Sequence, residues 1–199
     1  MTLYDLKPRF QSLLRPLLAF LHRAGVTANQ VTLLAMLASI ALGAWVAFSP
    51  LPIHFLALPG FLFVRMALNA IDGMLAREFK QQSKLGALLN ELGDVISDAA
   101  LYLPFALLPD AQGAPVVIFV LFAGLTEFTG TLGQTIGASR RYNGPLGKSD
   151  RAFVIGAYAL LIAYYPAALA WSAVLFWLLA GLSLLTCLNR ARAALAEAQ

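Results

Sequence analysis

The sequence predicts an all-α polytopic membrane protein: six transmembrane helices preceded by an N-terminal amphipathic interfacial helix. Three observations predict it. Of 199 residues, 60% are hydrophobic and 12% charged, against about 25% charged in a soluble domain. Six apolar segments, at roughly 28–48, 53–77, 86–108, 115–138, 152–166 and 169–188, approach the ~20 residues that cross a bilayer, the fifth being the shortest. Basic residues are also segregated. With six spans, one side carries the N-terminus, the 78–85 and 139–151 loops, the C-terminus and nearly every Lys and Arg. The loops SPLPIH, PDAQGAP and YYP on the other side carry none. The positive-inside rule then places both termini in the cytoplasm.

The elements follow in order. Residues 1–25 place Leu13, Leu14, Leu17, Leu18 and Leu21 at helical spacing, with Lys7, Arg9, Arg15 and Arg23 between them. That is the pattern of a basic amphipathic helix lying on an anionic leaflet; the alternative is a solvated helix packed on the protein itself. Arg15, His22 and Arg23 interrupt this stretch and no small-residue cleavage site follows, so no cleavable signal is expected. Residues 28–188 form the six-helix bundle, and 1–199 read as a single domain. Cys187 is the only cysteine, which excludes an intrachain disulfide. The net charge of +4 reflects cytoplasmic loop charge rather than nucleic-acid binding.

Ionisable groups at membrane depth are costly and mark functional sites. At about 100° per residue, Arg65, Asn69, Asp72 and Ala76 fall within an arc of roughly 60° on the second span. On the third span, Gly86, Asn90, Glu91, Asp94, Ser97 and Asp98 fall within roughly 140°. The spans are joined by a short loop, so Asp72 and Asp94 are expected to meet near the cytoplasmic end. Four neighbouring carboxylates (Asp72, Glu91, Asp94 and Asp98) need protonation or a counter-charge. Hard oxygen donors favour Mg²⁺, Mn²⁺ or Ca²⁺ over zinc. The plainer reading pairs these acids with Arg65, Arg77, Lys80 and Lys84. Gly73, Gly86 and Gly93 flank the acids and permit close approach of a helix or a ligand. The fourth span carries Glu127, Thr131 and Gln134, with Arg141 on the same stripe. Glu127 and Arg65 both lie near mid-span and are expected to pair. In the loop SRRYNGPLGKSDR, Arg141, Lys148 and Arg151 are candidates for a phosphate-binding rim; a solvated basic loop is the alternative.

The stretch D72-G73-x2-A76-R77-x8-G86-x3-N90-x3-D94 resembles the signature of the CDP-alcohol phosphatidyltransferases, D-x2-D-G-x2-A-R-x8-G-x3-D-x3-D, with spacing preserved over residues 69–94. VTANQVT at 26–32, which contains Asn29 and Thr32, is similar to the family's segment before the first span. GPLGKSD is similar to its basic loop. The resemblance implies a bacterial inner-membrane enzyme, active on the cytoplasmic side. It would transfer a phosphatidyl group from CDP-diacylglycerol to an alcohol, releasing CMP in phospholipid biosynthesis with one or two Mg²⁺ or Mn²⁺ ions. It implies metal ligation by Asp72 and by the residues at positions 69, 90 and 94, with Asp94 also the catalytic base. It implies CDP contacts from Gly73, Ala76, Arg77 and Gly86. Asn29, Thr32, Gln134, Arg141, Lys148 and Arg151 are candidate substrate or acceptor contacts, and homodimers are common in the family.

Two positions depart from the signature. Asn69 and Asn90 stand where it has aspartate, and an amide ligates a cation without contributing charge. Glu91, one residue on, is expected to take over the third ligand's role; Asp98 is the other candidate. Three functions follow from these residues: phosphatidyl transfer, hydrolysis of a CDP-lipid on the same scaffold, or a non-catalytic lipid-binding or transport role.

Overall fold

A computed structural model describes residues 3–109 and 111–198, with side chains from Phe10 onward, so Lys7 and Arg9 of the amphipathic pattern lie outside the described side chains. Among the described residues there are seven α-helices: α1 Leu3–Arg23, α2 Ala28–Phe48, α3 Ala57–Glu78, α4 Lys84–Tyr102, α5 Gly113–Leu132, α6 Lys148–Tyr164 and α7 Ser172–Ala198. No strand occurs among the described residues. Helix starts are fixed by local chemistry. Thr27 Oγ1 accepts from Gln30 N at 3.3 Å while Gln30 Oε1 accepts from Thr27 N at 2.9 Å, a capping box that opens α2. Ser83 Oγ accepts from Gly86 N at 2.9 Å and opens α4. Pro52 and Pro166 begin short 3₁₀ turns, and Pro104 is the second residue of another, all on the side without basic residues, where a missing N–H costs no helical hydrogen bond.

The helices differ from the expected spans in three ways. The second and third segments are each part α-helix and part 3₁₀ turn, at 52–56 and 103–107. The fourth passes into a 3₁₀ turn at 133–136 that ends on Gly137 in the left-handed region, φ 85°. The last helix continues to Ala198, ten residues beyond the expected span. Among the described residues four segments are long and apolar enough to cross a membrane: 28–48, 52–78, 113–136 and 166–198. The other two of the six differ for physical reasons: α4 carries Lys84, Glu91, Asp94 and Asp98, and α6 has only 17 residues. The outward faces are apolar. Leu34 and Leu37 on α2, Leu121 on α5 and Leu178 on α7 are each about three-fifths exposed. Such surfaces mark a membrane rather than an aqueous environment.

α5 packs along α7, α2 lies against both α3 and α4, and α3 packs on α6. The interior is divided lengthwise. Towards the proline turns it is apolar, with the Phe176 ring 5.6 Å from Phe105, 5.8 Å from Phe119 and 6.0 Å from Tyr158. Towards the opposite end it is charged. α1 lays Leu18 on the Ile71, Met74 and Leu75 side of α3, and leaves Leu13 and Phe20 exposed. His22 stacks on Phe79 with ring centroids 3.7 Å apart, and Arg15 pairs with Glu78 at 3.3 Å in the open.

The α2–α4 contact depends on Gly43, where a Cβ would collide with the backbone carbonyl of Ala100. Backbone cannot rotate away as a side chain can. Gly43→Ala is therefore expected to destabilise the bundle by about 1–3 kcal/mol, the usual cost of overpacking. Reversible unfolding in mixed micelles checks this, and a wild-type unfolding curve would show that the two helices separate freely.

Candidate active site

The polar residues of α3 and α4 face each other across a gap that α2 lines on one side and α6 on the other. α2 supplies Thr32, whose Oγ1 donates to Asp72 Oδ2 at 2.7 Å. Asn29, one turn earlier, leans over Gly86: a Cβ there would lie 2.7 Å from Asn29 Oδ1 and 3.0 Å from Ser83 Oγ. α3 supplies Asn69, whose Nδ2 donates to Asp94 Oδ1 at 3.0 Å. Arg65, one turn below, donates from Nη2 to the same oxygen at 3.3 Å and from Nη1 to Asp98 Oδ1 at 2.7 Å. α6 closes the other side. Lys148 Nζ donates to Asp94 Oδ2, while Arg151 donates to Asp98 Oδ2 from Nε at 3.2 Å and Nη2 at 3.0 Å.

The network continues into α5 and the basic loop. Arg151 Nη2 donates to Glu127 Oε1 at 2.9 Å, Arg140 Nη2 to Glu127 Oε2 at 3.3 Å, and Arg140 Nη1 to Glu91 Oε1. Arg190 of α7 lies 3.5 Å from Glu127 Oε2. Charges thus alternate without a break from Asp94 through Arg65, Asp98, Arg151, Glu127 and Arg140 to Glu91. In a low-dielectric interior each carboxylate needs such a partner. Asp72, Asp94, Asp98, Glu127, Arg65, Arg151 and Arg190 are all buried.

This arrangement corrects the expected Arg65–Glu127 pair. Arg65 engages Asp94 and Asp98, and Glu127 engages Arg151, Arg140 and Arg190. Depth matched, but α3 packs on α2 and α6 whereas α5 packs on α7 and α4, so the two side chains address different neighbours. The plainer pairing of the acids is also redrawn: among the described residues Asp94 and Asp98 bind Arg65, Lys148 and Arg151, with no ion pair to Arg77, Lys80 or Lys84.

The other sequence candidates fall as follows. Gly73 lies beside the exposed Arg77, whose Nη1 would be 3.1 Å from a Cβ at Gly73. Ala76 is half-buried on the same helix. Asn90 Nδ2 lies 3.5 Å from Glu91 Oε1, and Glu91 Oε2 is buried with no hydrogen-bond partner. Arg141 turns away to pair with Glu197 at the end of α7, and Gln134 is exposed in the 3₁₀ turn. Arg140, Arg190 and Thr126 join the network without having been sequence candidates. Arg190 continues a buried polar stripe with Ser183 and Thr186 on α7, a signal the sequence carried. Arg140 and Arg141 are adjacent in non-helical chain, where spacing cannot tell which points inward.

Asn69, Asp72 and Asp94 of the signature stretch lie together here, and residues 25–185 match the family model for CDP-alcohol phosphatidyltransferase. The chain belongs to the CDP-alcohol phosphatidyltransferase family. It is 51% identical over 195 residues to the inner membrane protein YnbA of Escherichia coli (strain K12), covering 98% of this chain and 97% of that one. It is 31% identical over 191 residues to a phosphatidylinositol phosphate synthase of Streptomyces avermitilis, covering 91% and 77%. The crystal structure of Mycobacterium tuberculosis phosphatidylinositol phosphate synthase with CDP-DAG bound superposes with a TM-score of 0.75 at 23% identity, over 90% of this chain and 92% of that one. This phosphatidyltransferase therefore shares that protein's fold.

Proposed function

We propose that this phosphatidyltransferase moves a phosphatidyl group from CDP-diacylglycerol to an alcohol and releases CMP, with Asp94 as the base. The observation that carries the reading is the meeting of Asn69, Asp72 and Asp94 in one gap, beside Lys148, at the family's signature spacing. The solved structures with CDP-DAG bound, and in complex with manganese and citrate, support the ligand classes.

The donor set fits a hard divalent cation. Asp72 keeps Oδ1, Asn69 and Asn90 have amide oxygens, and the partnerless Glu91 Oε2 is available beside them. Among the described residues no three His, Cys, Asp or Glu side chains form a metal-holding group, so the amides have to supply part of the shell. Asp72, Asn69, Asn90, Glu91 and Asp94 would hold the ion, which when bound neutralises pyrophosphate charge. The remaining work falls to the chain itself. Gly73, Ala76 and Arg77 line the nucleotide side, and Gly86 keeps backbone accessible beneath Asn29. Arg65, Asn69 and Lys148 orient the Asp94 carboxylate. Asp94 accepts the hydroxyl proton as the acceptor oxygen bonds to the lipid-side phosphorus; the P–O bond to CMP breaks and CMP departs with that electron pair. Exposed Leu13, Leu17 and Phe20 on α1 suit a helix at the membrane interface, and the cluster of basic loops around the gap suits a cytoplasmic face.

The decisive experiment supplies purified protein with labelled CDP-diacylglycerol, Mn²⁺ and a panel of alcohols, and follows CMP and lipid product together. Product that depends on an added alcohol supports transfer; equal CMP release without one indicates hydrolysis. In the same preparation Glu91→Gln is expected to weaken Mn²⁺ binding by about 10–100-fold, the range for losing a supporting group at a metal site. Unchanged affinity removes Glu91 from the shell.

A further inference from the structure

We infer that the site holds one divalent cation and not two, with the Asn69–Asp94 hydrogen bond standing where a second ion would need two oxygens, an inference that rests on the metal-dependent transfer reading above. The signature has aspartate at positions 69, 72, 90 and 94, and this chain keeps only Asp72 and Asp94. An amide oxygen ligates a hard cation but brings no charge, and the charge count of the ligands sets how tightly such a cation is held.

The side chain at position 69 does more than lose a charge. Its Nδ2 donates to Asp94 Oδ1 at 3.0 Å. The opposite orientation of the amide would set two acceptors against each other at that distance, so the nitrogen belongs on the Asp94 side. An ion shared by positions 69 and 94 needs a lone pair from each, and here one of the two groups is a donor. Arg65 Nη2 also reaches Asp94 Oδ1, at 3.3 Å, and Lys148 Nζ reaches Oδ2. Both oxygens of Asp94 therefore face N–H donors.

Asp72 is placed differently. It is buried and accepts from the Thr32 hydroxyl at 2.7 Å, and among the described residues no lysine or arginine forms an ion pair with it. A buried carboxylate without a cation is costly, and a divalent ion centred on Asp72 supplies the missing charge. The partnerless Glu91 Oε2 and the Asn90 amide stand beside it as further oxygen donors. Charge does not extend to a second ion. Two divalent cations about 3.5–4 Å apart, the spacing of two-metal sites, repel about four times as strongly as two unit charges. Four aspartates would offset that repulsion. Asp72, Asp94 and Glu91 do not, because Asp94 is already paired with Arg65 and Lys148 and Glu91 with Arg140. With one ion on the pyrophosphate, Asn69 stays on Asp94 and keeps the proposed base oriented.

The test counts bound metal. Purified wild-type protein in detergent, with CDP-diacylglycerol and no acceptor alcohol, is titrated with Mn²⁺. Electron paramagnetic resonance gives the free ion by its signal and shows whether bound ions are coupled to each other. One Mn²⁺ per chain, lost in Asp72→Asn and uncoupled to any other, is expected. A coupled pair overturns the inference and leaves the transfer reading standing. No bound Mn²⁺ defeats the metal-dependent reading and the inference with it, and lipid product from the panel of alcohols then decides separately whether transfer occurs. Asn69→Asp combined with Asn90→Asp restores the four aspartates and is expected to raise the count to a coupled pair. A folded double variant that still binds one ion shows that these amides do not set the number and overturns the inference. If the double variant does not fold, the wild-type count decides.

Discussion

Asp94→Asn is expected to reduce CMP release by about 10²–10⁴-fold, the contribution of a positioned general base, while leaving CDP-diacylglycerol binding largely intact. The substitution keeps volume and shape and removes the proton-accepting oxygen. The side chains that donate to Asp94 are Arg65, Asn69 and Lys148, whereas the residues assigned to the nucleotide are Gly73, Ala76 and Arg77, so binding and turnover separate. The fold also survives, because Arg65 keeps its 2.7 Å bond to Asp98 and the single amide oxygen still accepts either from Arg65 and Asn69 or from Lys148. Turnover from initial CMP release and lipid affinity from ligand-dependent thermal stabilisation give the two readouts. Near-wild-type turnover would show that another group removes the proton; parallel loss of binding would show that Asp94 mainly holds substrate.

Much of this site was legible because helical periodicity is a one-body property. The stripe Asn90, Glu91, Asp94, Asp98 and the stripe Arg65, Asn69, Asp72 follow from 3.6 residues per turn alone, and the signature spacing tied them to one chemistry. Choice of partner is a many-body property. Arg65 and Glu127 look matched by depth, yet each helix face meets whichever neighbour the bundle puts beside it, and the bundle puts α4 and α6 around Arg65. The loop before α6 shows a second limit. Arg140 and Arg141 differ by one position, with opposite destinations at Glu127 and Glu197, and no periodicity operates in non-helical chain. Arg190 illustrates a third. Its spacing from Ser183 and Thr186 was there to be read, but it lies beyond the expected span, so it reads as loop charge unless the helix continues, as it does, to Ala198.

The largest effect on stability is expected at Arg151. Among the described residues it is the one side chain that joins Asp98 to Glu127 directly, at 3.0 and 2.9 Å, from a position with no solvent exposure. Arg151→Met preserves the length of the apolar stem and removes the charge, so two buried carboxylates lose a shared partner at once. Breaking a buried ion pair from one side costs about 3–5 kcal/mol because the surviving charge stays desolvated. The same reasoning predicts no rescue from Glu127→Leu added to Arg151→Met: Glu127 keeps Arg140 at 3.3 Å and Arg190 at 3.5 Å, and among the described residues its removal leaves buried Arg190 without a carboxylate. Reversible unfolding in mixed micelles measures both. A cost below about 1 kcal/mol for the single variant would mean that the pair behaves like an exposed one and that water reaches the network. A large cost with no rescue is the expected result and places the burden on Asp98. In that case the route from Arg151 to Asp94, the proposed base, is short, because Asp98 shares Arg65 with Asp94, and the residual folded enzyme would lose turnover as Arg65 swings away from its second carboxylate.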